Sequence, residues 1–101
     1  LAIGCHDVVE THDGRETFVV FQSDFLSHLD TRLVIPLLPS RDSGGTTLRL
    51  NPLVKVEGAD YVLATHLCFS ARLSGLRRTG ASLAHQHDVI RDALDFLTSG
   101  F

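Results

Sequence analysis

A chain of 101 residues with a net charge of −3 makes one domain and lacks the basic excess that sequence-independent nucleic-acid binding requires. Its apolar share of 44% against 21% charged residues is that of an ordinary soluble globular protein, and no apolar run approaches the roughly 18 residues of a membrane span. Two cysteines are too few for a disulfide framework, and no charged-then-apolar leader opens the chain, so a cytoplasmic protein with reduced, buried thiols is expected. The first residue is Leu1 rather than Met, which points to a trimmed beginning.

Leu1, Ile3 and Cys5 alternate with Ala2, Gly4 and His6, and this period of two predicts a half-buried strand. Asp13-Gly14, in a polar stretch, is a hairpin turn signal. Thr17 to Phe21 reads as the next strand, ended by Gln22-Ser23-Asp24. Phe25-Leu26 is a bulky apolar pair in a polar connection, either tucked into the core or placed on an interface. From Leu33 to Leu38 six apolar residues are interrupted by Pro36, which cannot donate to a ladder and so predicts an edge strand or a bulge. Pro39 to Thr47 reads as a flexible loop. Its Gly44-Gly45 is not a phosphate loop, because no Gly-Lys-Ser/Thr follows. A short strand is expected from near Leu48 to Leu50, broken at Asn51-Pro52. Two more follow, Leu53 to Val56 and Tyr61 to Thr65, around a four-residue connection at Glu57 to Asp60. Cys68 to Leu73 reads as another strand, and Arg77-Arg78-Thr79-Gly80 as a basic loop.

The stretch from Ser82 to Phe101 has helical periodicity, with Leu83, Ile90, Ala93, Leu94 and Leu97 on one face and Val89 and Phe96 beside it. Ser82 is placed to cap the start and Gly100 to stop the end. Asp88, Asp92 and Asp95 run along one side with Arg91 as the only cation, and the chain finishes on Phe101. That acidic side is either a solvated face or a recognition element for a basic, pocketed partner. Six or seven short strands with a final helix predict a single domain over 1–101, a small antiparallel barrel or pair of packed sheets. No nucleophile–base signature is present. Asp24, Arg32, His66 and Arg72 are the residue types of a ribonuclease site, but nothing in their spacing makes them converge. His85 and His87 would point to opposite sides of a helix, so neither metal nor cofactor is expected.

Four segments in order, Phe21-Gln22-Ser23-Asp24, Val34-Ile35-Pro36-Leu37, Leu50-Asn51-Pro52 with Val54 and Tyr61, and Leu83-Ala84-His85 with the helix to Gly100, are similar to those of the CcdB toxins. The resemblance runs nearly end to end, with a one-residue indel expected in the Pro39–Thr47 loop. It implies a mainly β fold, an SH3-like antiparallel β-barrel with a C-terminal helix, forming a homodimer. It further implies a bacterial plasmid-addiction toxin that is not an enzyme: it binds the A subunit of DNA gyrase and traps the gyrase–DNA cleavage complex until a CcdA-like antitoxin neutralises it. The residues implied for gyrase are Phe25, Leu26, Asp95, Thr98, Ser99, Gly100 and Phe101. Those implied for the antitoxin are His12, Asp13, Gly14, Arg15, Arg41, Asp42 and Ser43. The family ends in Trp-Gly-Ile where this chain has Ser99-Gly100-Phe101, which removes a large apolar anchor that Phe101 replaces in part. Two rival readings are a MazF/Kid-like endoribonuclease toxin, which shares the barrel and dimer but is disfavoured by the negative charge, and a degenerate homologue that binds antitoxin without being toxic.

Overall fold

The computed structural model describes residues 2–40 and 49–100. Seven strands are present among them: β1 Asp7–Thr11, β2 Thr17–Val20, β3 Thr31–Pro39, β4 Leu53–Val56, β5 Ala59–Leu63, β6 Phe69–Arg72 and β7 Leu76–Ser82. One helix, α1 His87–Ser99, follows. All strand pairs are antiparallel, in the order β4-β5-β3-β2-β1-β7 with β6 also on β3.

The longest strand, β3, curls the sheet. One edge pairs with β2, while the other pairs with β6 from Thr31 to Val34 and with β5 from Leu37 to Pro39. Changing partner halfway bends the two halves apart and produces a half-barrel. Pro36 sits where the partner changes. Its carbonyl accepts from Ala64 N at 2.9 Å, so its nitrogen faces the same gap and no ladder bond is lost there. The expected edge position is therefore corrected: β3 is central, and the proline is tolerated because it lies between two ladders.

Both sides of the sheet are covered. Val8, Val19, Ile35 and Leu37 form one core with Val54, Val56, Leu63 and, from the helical segment, Leu83, Ile90 and Ala93. The alternate residues Val9, Phe18, Val20 and Val34 form a second core with Ile3 and Leu76. A sheet buried on both faces explains why its central strands are almost continuously apolar.

Several expected boundaries move for identifiable reasons. Residues 2–4 form no strand, and Cys5-His6 is a turn closed when Gly4 N donates to Asp7 Oδ2 at 2.8 Å and Asp7 N to Gly4 O. Neither cysteine lies on a strand; both are free and half-buried. Arg49 and Leu50 are a turn rather than a strand, and Leu48 lies outside the described residues. The β4–β5 connection is two residues, Glu57-Gly58, both with positive φ as a primed hairpin turn demands. Thr65 belongs to a 3-10 turn, Thr65–Leu67, after β5 has ended. Leu73 likewise leaves β6 for the 3-10 turn Leu73–Gly75. Arg77 to Gly80 is no loop but part of β7, where Arg77 meets Glu10 at 2.8 Å and Arg78 meets Asp7 at 3.5 Å. The expected cap is corrected: Ser82 ends β7 and its Oγ accepts from Ala84 N at 3.1 Å at the head of a 3-10 turn, Ala84–Gln86, while α1 starts only at His87 after Gln86. Gly100 stops α1 in the left-handed conformation at φ 77°, as expected.

Candidate partner-binding surface

The Phe25 turn starts from a polar clamp. Gln22 closes its base, donating to Thr31 O at 3.3 Å and accepting from Leu33 N at 2.9 Å. Ser23 Oγ then accepts from Phe25 N at 3.2 Å and opens a 3-10 turn, Asp24–Leu26. Asp24 Oδ1 takes the Cys5 N–H at 3.0 Å, which ties the turn to the N-terminal segment. Behind it lies Arg32, only 3% exposed. Its guanidinium donates to Ile3 O at 3.0 Å, Leu29 O at 2.7 Å, Thr31 O at 2.8 Å and Ser27 O at 3.0 Å. A buried charge needs such partners, since desolvating it without them is costly. The result is a turn anchored from within that holds Phe25 95% exposed, with Leu26 and Leu29 also exposed. Of the two placements open to Phe25-Leu26, the structure takes the exposed one.

The end of α1 makes the second part. Thr98 Oγ1 donates to Leu94 O at 3.0 Å and Ser99 Oγ to Asp95 O at 2.7 Å, so both hydroxyls serve the helix's last carbonyls. Asp95, Thr98, Ser99 and Gly100 are exposed; Phe101 lies outside the described residues. Asp88, Asp92 and Asp95 are exposed as well, and Arg91 reaches only Asp88, at 4.0 Å. Arg49 covers the Phe96 ring at 4.6 Å, a contact the sequence did not signal. Leu97, expected on the buried face, is 39% exposed because the core ends at Ala93 and Leu94. Among the described residues no hydrogen bond or ion pair joins Phe25 or Leu26 to the helix end. Cys5 and His6 instead link the Phe25 turn to the opposite, N-terminal end of α1, where His6 Nε2 lies 2.7 Å from His87 Nδ1.

The first hairpin holds His12, Asp13, Gly14 and Arg15. Asp13 Oδ1 accepts from Thr11 Oγ1 at 2.6 Å and Arg15 N at 3.0 Å, and these bonds, the hydroxyl's first, hold its carboxyl below the usual value. Gly14 has φ 72°, and His12 Nε2 donates to Ser74 O at 2.9 Å. Arg41, Asp42 and Ser43 lie outside the described residues. Beside this hairpin runs an apolar groove of about 490 Å³, walled by Phe18, Pro39, Tyr61, Leu67 and Phe69 with Arg15 on its rim. Phe18 and Phe69 meet edge to face at 5.4 Å. Sequence reasoning missed this groove. Its walls come from four separate segments, and only Leu67 and Phe69, two apart at the head of β6, hint at a shared exposed face.

Three of the four ribonuclease-type residues already serve the fold. Arg32 is committed to four carbonyls, Asp24 holds Cys5, and His66 Nδ1 lies against Asn51 Nδ2 at 3.2 Å. Among the described residues no three His, Cys, Asp or Glu side chains group as metal ligands.

A family model described as CcdB protein matches residues 6–100. No curated protein matches the chain. Among solved structures, the crystal structure of MazE-MazF (Form-II) from Deinococcus radiodurans is similar, with a TM-score of 0.76 over 98% of this chain and 97% of that one. Identity is 13%, so that likeness is one of fold, and it agrees with the expected mainly β barrel carrying a C-terminal helix.

Proposed function

The chain belongs to the CcdB family of toxin–antitoxin toxins, and on that premise we propose that it binds the A subunit of DNA gyrase and traps the gyrase–DNA cleavage complex. The observation that carries the reading is the Phe25 turn. An aromatic side chain 95% exposed on a turn pinned by a buried arginine is an anchor kept ready for a partner. The backbone of the turn is held by these bonds before binding, so docking has little more than the ring itself to order. The exposed acidic side of α1 suits a basic groove on that partner.

In this reading the protein acts as a homodimer. Two Phe25 turns and two chain ends form one surface, which accounts for the lack of direct bonding between those parts within one protomer. A CcdA-like antitoxin lies along the first hairpin at His12, Asp13, Gly14 and Arg15, and its apolar side chains enter the neighbouring groove. The protein is then a poison and not an enzyme; Asp24, Arg32 and His66 each spend hydrogen bonds on the fold, which weakens an endoribonuclease reading.

Purified gyrase turning over supercoiled plasmid is the direct test. Cleaved linear DNA should accumulate when the protein is added; its absence at saturating protein rejects this target and leaves the degenerate, antitoxin-binding homologue. Ser99→Trp sharpens the result. Ser99 is exposed and its hydroxyl serves only Asp95 O, so an indole there meets no core. Restoring the family's anchor should lower the protein concentration needed for cleavage by roughly tenfold.

A further inference from the structure

His6 is a junction of three elements. It stands in the left-handed region at φ 72°, a strained conformation for a residue with a side chain. Its N–H donates to Val20 O at 2.7 Å, at the end of β2, and its carbonyl accepts from Leu83 N at 2.9 Å, before the helix. Its ring meets His87, the first residue of α1, with 2.7 Å between Nε2 and Nδ1. Phe21 packs against both rings, at 5.6 Å from His6 and 5.1 Å from His87. The preceding residue, Cys5, donates to Asp24 of the Phe25 turn. One two-residue turn therefore ties the Phe25 turn to the start of α1.

We infer that His6 and His87 form a proton-sensitive joint that positions the Phe25 turn against α1. The bond between two imidazoles needs one N–H and one bare nitrogen. It is satisfied when both rings are neutral, and also when the pair holds one extra proton, because an imidazolium can donate to a neutral ring. A second proton puts two N–H groups and two positive charges face to face, and the rings must part. The surrounding charges pull in both directions. Asp7 from β1 and Asp24 from the Phe25 turn favour protonation of His6; burial, and then the His87 charge, oppose it more strongly and hold His6 below the ordinary histidine value. Asp7 is itself shared with Arg78 of β7 at 3.5 Å and with Gly4 N. Asp88 adjoins His87 in the first turn of α1 and is exposed. Because the folded His6 binds its proton less readily than the unfolded chain, stability from the joint is complete above the ordinary histidine pKa of about 6.5 and declines as pH falls below it. The joint is a property of the free protein; only its consequence, a Phe25 turn loosened for its partner in acid, rests on the gyrase reading.

Nuclear magnetic resonance of the free protein between about pH 7.5 and 5 tests it, following both imidazoles and the exchange protection of the Cys5 and Leu83 amides. The His6 ring should take up its proton below the ordinary histidine value. Over that step the two amides, corrected for intrinsic exchange, should lose protection by about tenfold. In His87→Gln, whose amide bonds without titrating, that loss should vanish. An unlowered titration of the His6 ring, or amide protection constant across the range in the unaltered protein, overturns the joint whether or not the variant folds. No gyrase enters the measurement, so a failed joint and a failed target are told apart.

Discussion

The Asp13-Gly14 hairpin and the Phe25 turn are both short, exposed and attached to β2, yet they are held in opposite ways. The tip of the hairpin is closed from inside, by Thr11 to Asp13, Arg15 to Asp13, Gly14 N to Thr11 O and Thr11 N to Glu16 O, and His12 adds a bond outward to Ser74 O. The Phe25 turn has its own Ser23 cap, but its position is set from far away along the chain, by Cys5 on Asp24 and by Arg32, whose hydrogen bonds reach back to Ile3. A locally closed turn can form early and alone. A turn closed by the fold inherits the rigidity of the core and can therefore hold an aromatic side chain in water at a fixed place.

Breaking the distant anchor should have the largest effect. Arg32→Ala leaves the carbonyls of Ile3, Ser27 and Leu29 without that donor, leaves Thr31 O with Gln22 alone, and opens a cavity at a buried site. A loss of about 3 kcal/mol is expected, seen as a fall in melting temperature of roughly 10–25 °C. Proteolysis should cut first near Phe25, because that turn loses its support. A melting temperature within a degree or two of the parent would mean the guanidinium is not what holds the turn.

The local turn should fail more gently. Gly14→Ala forces a side chain onto φ 72°, although the added Cβ would meet only Arg77 Nη2, at an ordinary 3.7 Å. The penalty is one of backbone conformation alone, about 1 kcal/mol. Thermal unfolding measures it, and the Phe25 turn should keep its proteolytic resistance, since its Cys5 and Arg32 anchors do not involve the hairpin.

The same contrast governs how much of the molecule the sequence reveals. Gly14 and Gly100 declare themselves, because a positive φ is a requirement on one residue and glycine meets it. The strand from Thr17 is likewise a property of neighbours, and its alternation sends Val19 into one core and Phe18 and Val20 into the other. What stays hidden depends on a side chain from elsewhere. The turn at Cys5-His6 looks like strand until the Asp7 carboxylate bends it back. The Arg77–Gly80 stretch looks like a basic loop until Glu10 and Asp7 on β1 pair its charges. The outer edge of β4 carries no warning that the Gln86 amide will take both the N–H and the carbonyl of Lys55. For the candidate surface the identity of the residues was legible and their state was not: Phe25 could be core or interface until Arg32 was seen to fill the space behind it.

Phe25→Ser should have the smallest effect on stability, and for that reason it discriminates best. At 95% exposure the ring gains almost nothing from folding, so its removal should change the unfolding free energy by less than about 0.5 kcal/mol. The Ser23 cap, the Asp24 bond to Cys5 and all four Arg32 contacts remain, since none uses the Phe25 side chain. A typical monomer leaves single apolar residues exposed without consequence, and in that case this variant would match the parent in every assay. An anchor behaves otherwise. Losing a well-packed aromatic at an interface centre weakens binding by about 2 kcal/mol or more, roughly thirtyfold in the concentration needed for gyrase-dependent DNA cleavage. Unchanged melting with that loss of potency identifies Phe25 as a partner contact. Unchanged melting with unchanged potency removes it from the gyrase surface, and a fall in melting comparable to that of Arg32→Ala would show that the ring is covered by the second protomer instead.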